Sequence, residues 1–249
     1  MFLCLGATLV RAQNDDVDPH FLQPNFLQPS LHVGVVAGMS NNTLVLGTAY
    51  ADDYHYDPRK GFAAGLSARL TLVDFPNSGN SLFLPDFSLR ADLLLIQKNY
   101  KFYRNFSTSW IDLSYLYDVR TNNYLDLPLM AELRWGRSLH LSLAGGFCLG
   151  GWLTAHRAGK TFSLDDLAYG DRQYADFDEP VEFNAKRDNR LDAGWAYGFG
   201  AGFTVKKVDV SLDARWYYGL TDVQKNYMTF MNHRYNTTFS LQGGVSIQL

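Results

Sequence analysis

Eight separate segments of the chain alternate, residue by residue, between apolar side chains and small or polar ones, and this limits the fold more than any other feature. Strict alternation over such lengths is the mark of β-strands, whose successive side chains point to opposite faces. Leu31, Val33, Val35 and Ala37 alternate with His32, Gly34, Val36 and Gly38. Phe62 to Leu72 and Phe87 to Leu95 repeat the pattern, and so does Leu125 to Trp135, with Asp126, Pro128, Met130, Glu132 and Arg134 on its second face. Glycine-rich Leu139 to Trp152 is a fifth strand, Trp195 to Val205 a sixth, Val208 to Tyr218 a seventh and Tyr235 to Leu249 an eighth. Each is about ten residues or more, long enough to cross a bilayer when tilted, and no segment has competing helical periodicity. The fold class expected is all-β: an eight-stranded antiparallel up-and-down transmembrane barrel.

The connections support this. Gly136-Arg137-Ser138 and Lys206-Lys207 are hairpin turns, whereas 40–60, 101–123, 153–190 and 221–234 are long. Outer-membrane barrels alternate short periplasmic turns with long extracellular loops, which places both termini in the periplasm. Only 74–85 is longer than the pattern asks.

A soluble lipocalin-type barrel also has eight alternating strands, so the polar face decides between the two. It carries glycine, serine, alanine and threonine rather than dense Lys and Glu. Small residues suit the narrow interior of an eight-stranded barrel, which side chains fill. Arg69, Arg90, Arg134 and Arg215 on this face can be matched by Asp92, Asp126, Glu132 and Asp213, giving a packed network of lumen charges, since charges withdrawn from water need partners. A cross-strand carboxylate, Asp92 or Asp213, is the expected partner of Arg134. Arg at lipid-facing Leu93 or Leu212 is expected to cost about 2–4 kcal/mol, and Ser at Gly200 or Thr at Ser67, in the lumen, much less.

Trp135, Trp152, Trp195, Tyr197, Trp216, Tyr218 and Tyr235 fall toward strand ends and form an expected aromatic girdle at the membrane interfaces. Pro128 has no ladder donor to give, and a bulge near the outer rim is expected there.

The 249 residues suit one domain. Residues 1–12 read as a signal peptide, with Phe2 to Val10 apolar and cleavage after Ala12. Residues 13–30 read as a periplasmic linker, and 31–249 as the barrel. The linker holds a tandem Phe-Leu-Gln-Pro at 21–24 and 26–29, which reads as extended chain before the first strand or, alternatively, as a docking peptide for a periplasmic partner. Cys4 would leave with the signal, so Cys148 alone excludes a disulfide framework or cysteine metal site. The nearly balanced charge, −3 overall, gives no footprint for nucleic acid.

Little catalytic chemistry is legible. His140 and Ser142, two apart on one strand, are spaced like a lipid-deacylase pair, but alternation sends both into the lumen near a short turn. No cofactor and no metal set stands out, and no catalytic residue is assigned. The long connection 153–190 mixes carboxylates (Asp165, Asp176, Asp178, Glu179) with aromatics (Tyr174, Phe177, Phe183), as solvated hairpin extensions of a barrel do; the other reading is a protein- or glycan-contacting surface.

Lys60-Gly61-Phe62-Ala63-Ala64-Gly65-Leu66, Arg90 to Lys98, Tyr124-Leu125-Asp126-Leu127-Pro128-Leu129 and Ala214 to Thr221 resemble, in order, the Bacteroidetes outer-membrane β-barrel family called PorT-like or porin-family, of the OmpX/OmpA-like eight-stranded kind. The resemblance spans Leu31 to Leu249. It departs at the end, where Leu249 stands in place of the usual aromatic residue. It implies a cell-envelope protein of a functionally mixed family, some of whose members serve secretion. The expectation is a non-enzymatic outer-membrane barrel whose loops or periplasmic face serve binding or assembly. Its partners are outer-membrane lipid and lipopolysaccharide, and a periplasmic or extracellular protein. The rivals are a secretion-complex component, a lipid-modifying enzyme and a small passive pore.

Overall fold

The computed structural model describes residues 29–46, 54–73, 85–104, 116–162, 174–225 and 233–249. The expected signal peptide and nearly all of the linker lie outside them. The chain runs β1 (Ser30–Leu46), β2 (Tyr54–Val73), β3 (Asp86–Gln97), β4 (Tyr100–Arg104), β5 (Tyr117–Trp135), β6 (Leu139–Phe162), β7 (Tyr174–Pro180), β8 (Leu191–Val205), β9 (Val208–Gly219) and β10 (Arg234–Gln248).

All ladders are antiparallel, and they close. Val35 of β1 stands opposite Leu66 of β2 on one side and Val245 of β10 on the other. The ring continues through β3, β5, β6, β8 and β9 back to β10. Closure leaves the barrel no free edge, so every spanning backbone group can find its partner within the ring. Ten strands make eight barrel strands. β3 and β4 are one, interrupted at Lys98-Asn99, with the register to β5 unbroken (Gln97 opposite Asn123, Tyr100 opposite Arg120). On the other side, between the Pro58–Tyr100 and Ala63–Ile96 pairs, four residues of β2 (59 to 62) stand against three of β3 and β4 (97 to 99), which is a bulge. β7 pairs with the far half of β6.

The strands outrun their expected ends. β1 continues to Leu46, β2 begins at Tyr54, β5 begins at Tyr117, and β6 runs to Phe162 before β7 returns. Much of the connections 40–60, 101–123 and 153–190 is therefore hairpin. Alternation is disguised in these stretches because both faces are polar.

Pro128 corrects a second expectation. It lies in mid-strand, fully buried, at no bulge. The β3–β5 ladder skips from Ala91–Leu129 to Leu94–Asp126 without changing register, a gap where the missing N–H falls. The bulge lies elsewhere: Leu153 is extra where Asn123 faces Thr154 and Tyr124 faces Trp152.

The outer surface is apolar. Val35, Leu66 and Leu212 are 59, 60 and 56% exposed, and Leu93, Leu129, Leu141, Phe199 and Val245 continue the band around the ring. A water-soluble monomer seldom exposes a continuous apolar surface of this extent. Inside are Arg69, Arg90, Asp92, Glu132, Asp213 and Arg215, all buried. The barrel is inside-out relative to a soluble one.

At the short turns, Gly136 takes φ 93° and Lys206 φ 57°. Glycine bears the left-handed conformation without strain, and lysine bears it at a cost.

Candidate functional site

The interior is where the sequence departs furthest from a plain barrel. Its side chains form three storeys, ordered by cross-strand register.

The lowest storey lies by the two short turns. Arg69 reaches Asp209 at 2.8 Å, and Arg134 reaches the other oxygen of Asp209 at 2.9 Å. Thr204 donates to Asp209 at 2.8 Å, and the Arg134 guanidinium also meets Thr204 and the His140 ring, each at 2.7 Å. His140 is buried inside the barrel and held among these groups. Arg134 is thus neutralised by Asp209, not by Asp92 or Asp213. Asp209 opens β9 beside the Lys206-Lys207 turn, and the turn's tightness brings it level with Arg134.

The middle storey is a mesh of ions. Arg90 contacts Asp92 at 3.2 Å, Glu132 at 3.3 Å and Asp213 at 3.0 Å. Arg215 binds Asp213 at 3.1 Å and also Asp92. Glu132 links this mesh downward to Arg69 at 3.5 Å. Glycines make the room. A Cβ on Gly200 would run into the Asp213 carboxylate and lie 2.7 Å from Ser142 Oγ. The expectation that Ser at Gly200 is cheap is therefore overturned, since the lumen is packed around that missing side chain.

The upper storey centres on Lys98, whose ammonium lies 2.8 Å from both Asp126 and Asp192. Asp126 belongs to this pair rather than to an arginine. The two acids flank Gly150 in one cross-strand row. Lys98 and Asp192 were not among the expected lumen charges, and neither was Asp209. Lys98 sits in the β3–β4 interruption, where simple alternation gives no face, and Asp192 and Asp209 sit at strand starts. The same storey is part apolar: Leu94, Ile96, Met130 and Tyr217 are buried in one cluster.

Trp152 belongs to that cluster too. It is 5% exposed and faces inward, away from the outer aromatics. The parity that sends His140 into the lumen sends Trp152 there as well, which corrects its placement in the girdle. The ring stacks on Tyr124 at 5.8 Å with 1° between planes, and Tyr124 lies under the Lys98 ammonium at 4.6 Å. Outside, Trp195 packs on Phe147 (4.3 Å), and Trp216 contacts Tyr197, Phe199 and Phe239. Tyr218 is exposed, Tyr235 stacks beside His233, and Trp135 is half-buried at the end of β5.

Residues 181–190, between β7 and β8, form a strap over this storey. Phe183 meets Trp152 edge-on at 4.9 Å, and the Arg190 guanidinium lies 4.5 Å above Phe183. The strap is tied to β6 by Val181 N–H to Ala155 (2.9 Å) and to 221–225 by Lys225 N–H to Arg187 (2.7 Å). Burial works to raise the Asp188 carboxyl, but the Arg187 guanidinium at 2.7 Å and the Asn184 N–H at 2.8 Å hold it below the usual carboxylate range.

A closed ring of eight strands, apolar outside and ionic within, calls for comparison with known barrels. Residues 12–225 match the family described as outer membrane protein beta-barrel domain. The chain belongs to that family. Solved outer-membrane barrels are similar to it at low identity. Neisserial surface protein A is 12% identical, with 89% of this chain and 99% of that one covered and a TM-score of 0.42. Ail, the attachment invasion locus protein of Yersinia pestis, is 13% identical, with 88% and 98% covered and a TM-score of 0.35. The outer membrane protease OmpT of Escherichia coli is 9% identical, with 92% and 99% covered and a TM-score of 0.43. None of these likenesses carries an argument about activity, ligand or partner. No curated protein matches the chain.

Proposed function

We propose that this outer-membrane barrel is non-enzymatic, keeps a closed lumen, and serves as a membrane scaffold whose extended hairpins bind. The carrying observation is the filled interior. Arg69, Arg90, Lys98, Arg134 and Arg215 are each held by at least one of Asp92, Asp126, Glu132, Asp192, Asp209 and Asp213. Such pairs are strongly destabilised by losing one partner, so they resist opening. Three pockets lined by lumen residues measure only about 10 Å³ each, which speaks against a passive pore. His140 and Ser142 lie inside near the short turns and away from lipid, which speaks against lipid chemistry.

In this reading the termini and the short turns face the periplasm, and the β1–β2, β4–β5 and β6–β7 hairpins face outward among lipopolysaccharide and extracellular partners. The four ordered segments around Gly61, Asp92, Pro128 and Trp216 support a place near the PorT-like barrels of Bacteroidetes. The mature chain then begins at Gln13. Purified protein in planar bilayers tests the closed lumen. The expected record is silent or briefly flickering, and a stable porin-sized conductance overturns the reading.

A further inference from the structure

Beyond the spanning band, β4, β5, β6 and β7 form one continuous sheet whose inner face walls a cavity of about 260 Å³. Phe102, Tyr117, Asp118, Arg157, Thr161 and Phe177 line it. The register sets Arg120 and Arg157 directly opposite each other on that face, with Asp118 two residues away. Two facing guanidiniums need carboxylates. Arg120 takes Asp118 through one oxygen at 3.2 Å, and Arg157 has Glu179 at 3.5 Å. Among the described residues two polar atoms of this wall make no hydrogen bond, the second carboxylate oxygen of Asp118 and Nε of Arg157, the atom whose ion pair with Glu179 is stretched to 3.5 Å. An orphan acceptor and an orphan donor in one wall are costly unless something bonds both.

The chemistry of the wall narrows the guest. The cations Arg120, Arg157 and Lys160 are offset by Asp118, Glu179 and Asp176, the last 3.8 Å from Lys160, so no net positive field awaits a phosphate or sulfate. Among the described residues no group of three side chains could hold a metal. A hydrocarbon would leave both orphans unbonded. A hydroxyl is donor and acceptor at once, and can satisfy the two together. The rings of Phe102 and Phe177, the latter with the Arg157 guanidinium 4.4 Å over it, give the wall an apolar part for the C–H groups of a sugar. The volume lies just under the roughly 300 Å³ at which pockets for drug-sized ligands begin, which suits one ring rather than a chain.

We propose that this cavity is a subsite for one ring of a neutral saccharide, with a hydroxyl donating to Asp118 and accepting from Arg157. The proposal rests on the reading that the hairpins of a closed barrel bind. The sugar could belong to the cell's own lipopolysaccharide or to a foreign glycan, since the shared chemistry is the uncharged ring.

The test is an array of neutral oligosaccharides probed with the full barrel in nanodiscs, each variant first checked for a heat-modifiable, folded band. Wild type is expected to bind at least one neutral glycan. Arg157→Met and Phe177→Ala should each weaken that binding about tenfold, the scale of one lost charge-assisted contact. Phe177→Tyr should restore it, and Lys225→Ala, on the strap side, should leave it unchanged. Competition by deacylated lipopolysaccharide core assigns the sugar to the cell's own envelope; its failure, with the array glycan still bound, assigns it to a foreign source. Binding confined to anionic glycans, no binding by folded protein, or equal binding by all variants overturns the site. A barrel that conducts yet binds sugar overturns the closed lumen instead, and a silent barrel that binds none overturns only the sugar site.

Discussion

Asp209 is the residue on which the lower storey turns, because it answers Arg69 on one oxygen and Arg134 on the other. Removing one partner of a buried pair costs about 3–5 kcal/mol. Arg134→Ala leaves Asp209 still bound to Arg69 and is expected near the bottom of that range. Asp209→Ala strips Arg134 of its carboxylate and leaves Arg69 only Glu132 at 3.5 Å, and is expected near the top. The double variant should cost less than the two singles added, because groups in one network are not independent. Urea unfolding in lipid vesicles reads all three, and strict additivity would show that the pair is not coupled. Gly200→Ser is a sharper contrast with the outer face. Leu212→Arg should cost about 2–4 kcal/mol for its charge in lipid, and Gly200→Ser about 1–3 kcal/mol for overpacking against Asp213 and Ser142. A neutral Gly200→Ser would mean the middle storey has slack. At this scale the sequence was readable for which residues turn inward but not for who meets whom. Arg134 finds Asp209 through register and turn geometry, which period-two patterning does not encode.

The strap at 181–190 is the element least legible beforehand. It has no periodicity, and its anchor, Phe183 on Trp152, depends on Trp152 facing inward. Parity from His140 could have shown that, had the pull of an indole toward the membrane interface not been given priority. The barrel strands themselves were legible wherever one face meets lipid, because a one-residue slip would turn the apolar set inward. Legibility ended where both faces are polar, as in the far half of β6 and in β7, and at the Lys98-Asn99 interruption. The strap also has a pH dependence with a definite sign. Asp188 is held below the ordinary carboxylate range when folded, so its contribution is full above the unfolded value of about 3.9 and is lost as pH falls through the folded one. Hydrogen exchange across 181–190 is expected to stay slow at pH 5–7 and quicken below about pH 4, with Asp188→Asn quickened already at neutral pH. A strap equally protected at all these pH values, or in Asp188→Asn, would place its tether elsewhere.

For the whole molecule, the three storeys act as resistances in series along one axis, and the tightest sets the current. Each has its own cation: Arg134 below, Arg90 in the middle and Lys98 above. Emptying one storey leaves two that still close the lumen, so Lys98→Ala, Arg90→Ala and Arg134→Ala should each lower stability yet add at most brief flickers in planar bilayers. A steady current needs all three storeys opened together. Single losses leave carboxylates under-compensated, most of all Lys98→Ala, so the open barrel is reached most safely by removing charges in pairs: Lys98 with Asp126 (Asp192 keeps its Asn236 hydrogen bond), Arg90 with Asp92, and Arg134 with Asp209, which leaves Glu132 to Arg69. Pairwise removal takes away the uncompensated charge that makes single loss so destabilising. The combined variant, checked for a folded, heat-modifiable band, is expected to carry a small steady cation or anion current that none of the three paired variants shows alone. If one paired variant alone conducts steadily, the lumen is closed at that storey only, and the others line a space already wide enough for ions.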